Sequence, residues 1–162
     1  MIGLIRWRFS LDKQIVIFDL GNRTFGVDVA SVVRVGQIPE ITKKPNSPSF
    51  IEGQMNCFGY KMPILDLHRW FGVLAQERTE DSCILFANLN GMRIGMIVSA
   101  VTDVLEIDEN KIKLPTSKTD NDSDYIVGFS EINGQLITLV DLDLMLTKEE
   151  KDQLELFQII SP

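Results

Sequence analysis

Short runs rich in Val, Ile, Leu and Phe, cut by Gly, Asn and Pro, make up most of the chain. Gln14–Leu20, Thr24–Val29, Cys83–Leu89 and Met92–Val98 have the length and β-branched content of strands. Gly21-Asn22, Asn90-Gly91 and Asn133-Gly134 fall between such runs and predict tight hairpins, because these residues tolerate positive φ. Phe58-Gly59 stands in the matching place of another hairpin, and Pro39, Pro45, Pro48 and Pro115 sit in connections, where no ladder donor is lost. Helical signals are few. His68-Arg69-Trp70-Phe71 ends at Gly72 as a short turn does, and Thr147 followed by Glu149 and Glu150 begins a capping box. Beyond that cap, Leu154, Phe157 and Ile160 recur at helical spacing and predict a C-terminal helix over 147–162, its stripe docked on the strands rather than on a partner.

The runs repeat. At a shift of 69, Gly26 meets Gly95, Val32 meets Val101 and Val35 meets Val104; at a shift of 75, Phe50-Ile51-x-Gly53 meets Tyr125-Ile126-x-Gly128 and Leu65-Asp66-Leu67 meets Val140-Asp141-Leu142. The change of shift falls in the polar stretch 116–124, which reads as a longer surface loop in the second copy. Duplicated runs of short strands predict a mainly β protein: two similar five-stranded antiparallel β-barrels related by a pseudo-twofold, plus a short helix after the first barrel and the C-terminal helix. The expected division of the single domain 1–162 is a first barrel at 14–72, a second at 82–146 and the helix at 147–162.

Composition narrows the function. With 162 residues, 44% hydrophobic and 24% charged, the chain supports a full core without staples. Its net charge of −7 argues against nucleic acid, which calls for a concentrated basic stripe. That charge is uneven: residues 1–72 sum to +3 and residues 73–162 to −10, so the halves present different fields to a partner. Cys57 and Cys83, without a CxxC partner, read as core residues in a reducing compartment. Segment 1–13 is interrupted by Arg6 and Arg8 and has no secretory core, and no apolar run approaches the ~20 residues of a bilayer span. The expectation is a cytoplasmic protein without direct membrane insertion.

Reaction chemistry finds little footing. The one histidine, His68, has only Asp66 and the remoter Cys57 nearby in sequence, at no metal-ligand spacing, and reads as a surface or helix-end residue. No GxSxG, GxGxxG or GxxxxGK[ST] occurs. Asp66 and Asp141 resemble a carboxylate pair, but their equivalent places at strand-to-helix junctions fit backbone caps better. Gly26/Gly95 and Gly53/Gly128 read as backbone geometry. No catalytic residue, metal or cofactor is expected.

From Gln14 to Leu146 the motifs, in order and spacing, resemble the CheW-like domain, the coupling protein of bacterial chemotaxis. The marks are Phe18-x-Leu20-Gly21 through Val35, Pro48-x-Phe50-Ile51-x-Gly53, and Asn56-x-x-Gly59-x-x-x-Pro63-Ile64-Leu65-Asp66-Leu67. They continue with Gly95-x-x-Val98-x-x-Val101-x-x-Val104 and Tyr125-Ile126-x-Gly128 leading to Asp141-Leu142-Asp143. The resemblance implies a non-catalytic adaptor between the cytoplasmic helical hairpin of chemoreceptors and the regulatory domain of a CheA-type histidine kinase, with other CheW-like domains as further partners, recruited to arrays at the inner face of the membrane. It also implies a receptor-binding groove at Val32, Arg34, Gly53, Asn56, Phe58, Val98, Ser99 and Val101. Three of these depart from the family pattern: Arg34 replaces an acid, Phe58 an arginine and Ser99 an aspartate. A cation–π contact between Arg34 and Phe58 is the expected replacement for the lost ion pair. A scaffold of a non-chemotaxis kinase pathway and a sensor binding a small ligand between the barrels are the alternatives.

Overall fold

A computed structural model describes residues 12–159 except 44, 46, 58, 75, 76 and 116–123, and side chains from 14 to 156. Phe58, most of the 116–124 stretch, the Phe157 side chain and Ile160 therefore lie outside the described residues. Ten strands run along the chain: β1 (Asp12–Leu20), β2 (Arg23–Asp28), β3 (Val32–Gly36), β4 (Ile51–Cys57), β5 (Tyr60–Asp66), β6 (Cys83–Leu89), β7 (Met92–Val98), β8 (Ala100–Asp108), β9 (Ile126–Ile132) and β10 (Gln135–Val140). Helix α1 (Leu67–Phe71) follows β5, and α2 (Lys148–Ile159) closes the chain.

The strands form two five-stranded sheets, ordered β8-β1-β2-β10-β9 and β3-β6-β7-β5-β4. Replacing each strand by its counterpart in the other copy turns one order into the other. Three expectations are corrected here. The pairing does not close: among the described residues no ladder joins the edges of either sheet, so these are sheets rather than closed barrels. Nor is the pairing wholly antiparallel, since β2 runs parallel to β10 and β5 parallel to β7. Finally, the sheets do not follow the division 14–72 and 82–146. The first combines β1 and β2 with β8, β9 and β10; the second combines β3, β4 and β5 with β6 and β7. The chain leaves the first sheet through the turn Val29–Ser31 and the second at Ser99, exchanging the rest of each copy. Internal likeness shows which segments are equivalent; it carries no information about which copy each segment pairs with.

The hairpins follow the turn residues. Asn90 and Gly91 have φ of 53° and 85°, and Asn133 and Gly134 have 53° and 81°, the two consecutive positive values a tight hairpin needs. Within the sheets, Gly26 and Gly95 serve close approach. A Cβ would stand 2.6 Å from Ile15 Cγ2 at the first and 2.7 Å from Ile64 Cδ1 at the second, inside the apolar pack of each sheet.

Those packs are small. Ile15, Ile17, Ile107, Val127, Ile137 and Leu139 form one on the first sheet; Met62, Ile64, Ile84, Phe86 and Ile97 form its counterpart on the second. The opposite face of each sheet joins the main core, to which β1 gives Val16, Phe18 and Leu20, and β6 gives Leu85, Ala87 and Leu89. Both faces of β1 and β6 are thus buried, which is why these strands read as continuous apolar runs rather than alternating ones. Leu154 of α2 is fully buried in the main core, so the helix docks on its own sheets as expected.

The α2 cap is reciprocal: Thr147 Oγ1 accepts from Glu150 N–H at 3.1 Å, and Glu150 Oε1 accepts from Thr147 N–H at 2.9 Å. Thr147→Ala is expected to cost about 1 kcal/mol, read as a shift of the urea midpoint at unchanged m-value.

Candidate functional site

Of the eight positions expected in one groove, Phe58 lies outside the described residues, Ser99 joins α1 to the β1–β2 hairpin, and the other six divide into three groups. Val32 begins β3 and Val101 is the second residue of β8, the strands on which the chain crosses between sheets, and both are half-buried against the main core. Strand β6 touches both: Val32 lies opposite Ala87, and the Cys83 thiol is hydrogen-bonded to the backbone of Val101. Cys83 and Ala87 are four residues apart on that strand, about 13 Å at strand rise. Burial pushes the Cys83 thiol up, partly offset by that hydrogen bond and reinforced by Asp81, so the sulfur stays protonated and poorly nucleophilic. Beside the two crossing positions, Val33, Val35 and Val104 are exposed on the same edge strands. The repeat contains Val35 and Val104, but only the fold shows that both stand on sheet edges facing solvent.

Val98 belongs elsewhere. It is fully buried in the main core and cannot contact a partner.

The third group lies on the second sheet. Arg34 does not need Phe58: its guanidinium sits 4.2 Å over the ring of Phe86. A register shift between Val32 and Arg34 in the β3–β6 ladder sets Arg34 directly opposite Phe86, and the bare Gly36 beside it leaves room for the guanidinium. Gly53 sits where β4 meets the incoming segment at Thr42; a Cβ there collides with the Thr42 carbonyl. Gly128 stands in the same relation to Lys113. Asn56 is exposed, and its Oδ1 accepts from Gly59 N–H at 3.1 Å, fixing the β4–β5 turn. Gly53 and Asn56 thus shape the β4–β5 edge.

Asp66 and Asp141 are caps, as expected. Each accepts from the backbone N–H two residues on, His68 and Asp143, at 3.0 Å. His68 stands at a helix end as expected, in the short α1, but it is buried rather than on the surface, and both ring nitrogens are engaged. Nδ1 lies 2.9 Å from Asp66 Oδ1, and Nε2 lies 2.7 Å from Ser99 Oγ. Ser99 Oγ also accepts from Gly21 N–H at 3.0 Å, and Ser99 N–H donates to Asp19 O at 2.9 Å. The side chain at the crossing between sheets is therefore tied at once to α1 and to the β1–β2 hairpin.

Two further features surround α1. The side chain of Glu52, only 8% exposed, is held by Arg69, by Arg78 at 3.3 Å and by Lys43 at 3.7 Å, three cations from three separate segments. Next to it, Phe25, Phe71, Trp70 and Tyr125 form an aromatic chain, with Trp70 and Tyr125 edge-on at 5.0 Å. Phe50, Trp70, Tyr125, Met145 and Lys151 line a cleft of about 530 Å³ there. Among the described residues no three His, Cys, Asp or Glu side chains converge as metal ligands, and no helix is long and apolar enough to cross a membrane.

Two five-stranded mixed sheets exchange strands over a shared core in one β module, with exposed valines on the crossing edges. The chain belongs to the CheW-like domain family, whose model matches residues 14–150. It is similar to the chemotaxis protein CheW of Klebsiella aerogenes, 28% identical over 142 residues covering 87% of this chain and 86% of that protein. The chemotaxis protein CheW of Thermotoga maritima is 28% identical over 130 residues, 80% of this chain and 85% of the relative. The crystal structure of the scaffolding protein TtCheW from Thermoanaerobacter tengcongensis superposes with a TM-score of 0.77 at 33% identity, covering 86% of this chain and 90% of that one.

Proposed function

We propose that this chain is a chemotaxis scaffold that couples the cytoplasmic helical hairpin of chemoreceptors to the regulatory domain of a CheA-type histidine kinase, by association alone. The observation that carries the reading is the likeness to a solved scaffolding protein over nearly the whole of both chains. The two sheets then act as pseudo-twofold halves, and the groove lies where β3 and β8 cross between them. Val32 and Val101 form its apolar floor, Val33, Val35 and Val104 widen it, and Arg34 on its Phe86 platform, with Gly53 and Asn56, shapes the neighbouring edge. Apolar positions of this kind suit one face of a helical hairpin. Weak single contacts gain strength when repeated in a receptor array at the membrane. Arg34 and Ser99, departing from the family pattern, point to a receptor or kinase specialised to match.

Reconstitution with receptor fragments and kinase tests the coupling. The expected result is co-sedimentation of all three proteins and a receptor-dependent change in kinase phosphorylation; a chain that binds neither partner overturns the reading. The aromatic cleft beside Trp70 and Tyr125 favours the alternative of a small-ligand sensor. A thermal-shift screen of metabolites decides between them, no stabilisation together with kinase binding leaving the scaffold.

A further inference from the structure

We propose that Ser99 is a reactive nucleophile that takes up small acyl groups from activated acyl donors, with His68 as its base and Asp66 orienting the imidazole. The chain's one histidine lies between a carboxylate and a hydroxyl, at 2.9 Å and 2.7 Å, in the order in which a serine is activated by a histidine that is itself held by an acid. A carboxylate oxygen accepting from Nδ1 holds the proton there and leaves the Nε2 lone pair facing the Ser99 hydroxyl, which donates to it. Burial of His68 shields this chain of hydrogen bonds from competing water.

The surroundings provide a small reaction space. Ser99 sits at the bend between β7 and β8 and is half-exposed. Together with His68, Arg78, Thr79, Ser82 and Ile97 it lines a cavity of about 60 Å³. A space this small suits an acetyl-sized acyl group. In the reaction, Ser99 Oγ forms a bond to the acyl carbon while its proton passes to His68 Nε2. The attack gives a tetrahedral intermediate, and the Gly21 N–H, 3.0 Å from Oγ, holds the attacking oxygen in place. Collapse breaks the bond to the leaving group, which departs as its anion, and His68 releases the proton to solvent. The product is acyl-Ser99.

The full chain is incubated with p-nitrophenyl acetate, with release of p-nitrophenolate followed by absorbance and the acetylated residue located by peptide mass spectrometry. Surface lysines, which the same reagent acetylates slowly, are the internal reference. The expected result is one acetyl on Ser99, formed at least tenfold faster than on any lysine, absent in Ser99→Ala and slowed at least tenfold in His68→Gln. A folded wild-type chain whose lysines are labelled while Ser99 stays free overturns the proposal and leaves the hydrogen-bonded chain as a structural tie. So does a folded His68→Gln variant that reacts at the wild-type rate. Should His68→Gln fail to fold, the wild-type chain in urea replaces it: loss of Ser99 labelling on unfolding supports the assignment, and persistence refutes it.

Discussion

Leu154→Ala lowers the stability of the whole protein by about 2–5 kcal/mol and its thermal midpoint by roughly 4–20 °C. Leu154 has no exposed surface and packs within the main core, among side chains from both sheets. Truncation leaves a cavity that close-packed neighbours fill only in part. Leu156, two residues on, is 57% exposed, and Leu156→Ala is expected to change stability by no more than about 0.5 kcal/mol. The pair separates two views of α2. A helix that exists to dock on a partner would tolerate both changes in the isolated protein. A helix that completes the fold loses the buried position only. Equal, small shifts for the two variants in a thermal melt would refute the packing described above. A core loss of this size is a large part of the roughly 5–15 kcal/mol that a domain has in total.

Much of the fold was legible because the chain states it twice. The shifts of 69 and 75 pair β1 with β6, β2 with β7 and β4 with β9, and the turn residues mark where hairpins fall. Asp66 and Asp141 read as caps for the same reason: one junction, seen twice, has one structural explanation. What the repeat hides is exchange. β3 resembles β8 but pairs with β6, a strand of the other copy, and nothing local to Val32–Gly36 specifies that choice. Register is hidden as well. Arg34 meets Phe86 because the ladder slips by one residue between Val32 and Arg34, a property of the paired strands and not of either alone.

For the proposed groove, the equivalent places of Val32 and Val101 on β3 and β8 were legible through the repeat. The tie between His68 and Ser99 was not. The two are 31 residues apart, and their counterparts in the other copy, Asp143 and Ala30, form no such pair. Self-comparison has no signal for a contact that exists once. The one available hint was that Ser99 departs from the family pattern, which makes its neighbours worth finding. Val98 shows the converse error: a residue adjacent in sequence to a crossing strand is turned inward by the two-residue period and lost to the core.

Val32→Asp and Val101→Asp are each expected to weaken association with the receptor hairpin by about thirty-fold, the size of a central interface residue's contribution of about 2 kcal/mol. On the proposed apolar floor, either substitution sets a carboxylate whose water a docking helix would strip without supplying a partner. Because both valines are half-buried against the main core, part of the effect falls on folding. Val33→Asp and Val104→Asp resolve this, since those positions are 44% and 51% exposed and the unbound protein keeps a new charge there solvated. The four variants are compared by circular dichroism and by co-sedimentation with receptor fragments. Kinase regulatory-domain binding is measured separately, as a partner expected at other surfaces and so a control for general damage. Loss of receptor binding in all four, with kinase binding retained, is the outcome a groove between β3 and β8 demands. Full receptor binding by folded Val33→Asp and Val104→Asp would confine the contact to the half-buried pair. Full binding by folded variants at all four positions would place the receptor on another face.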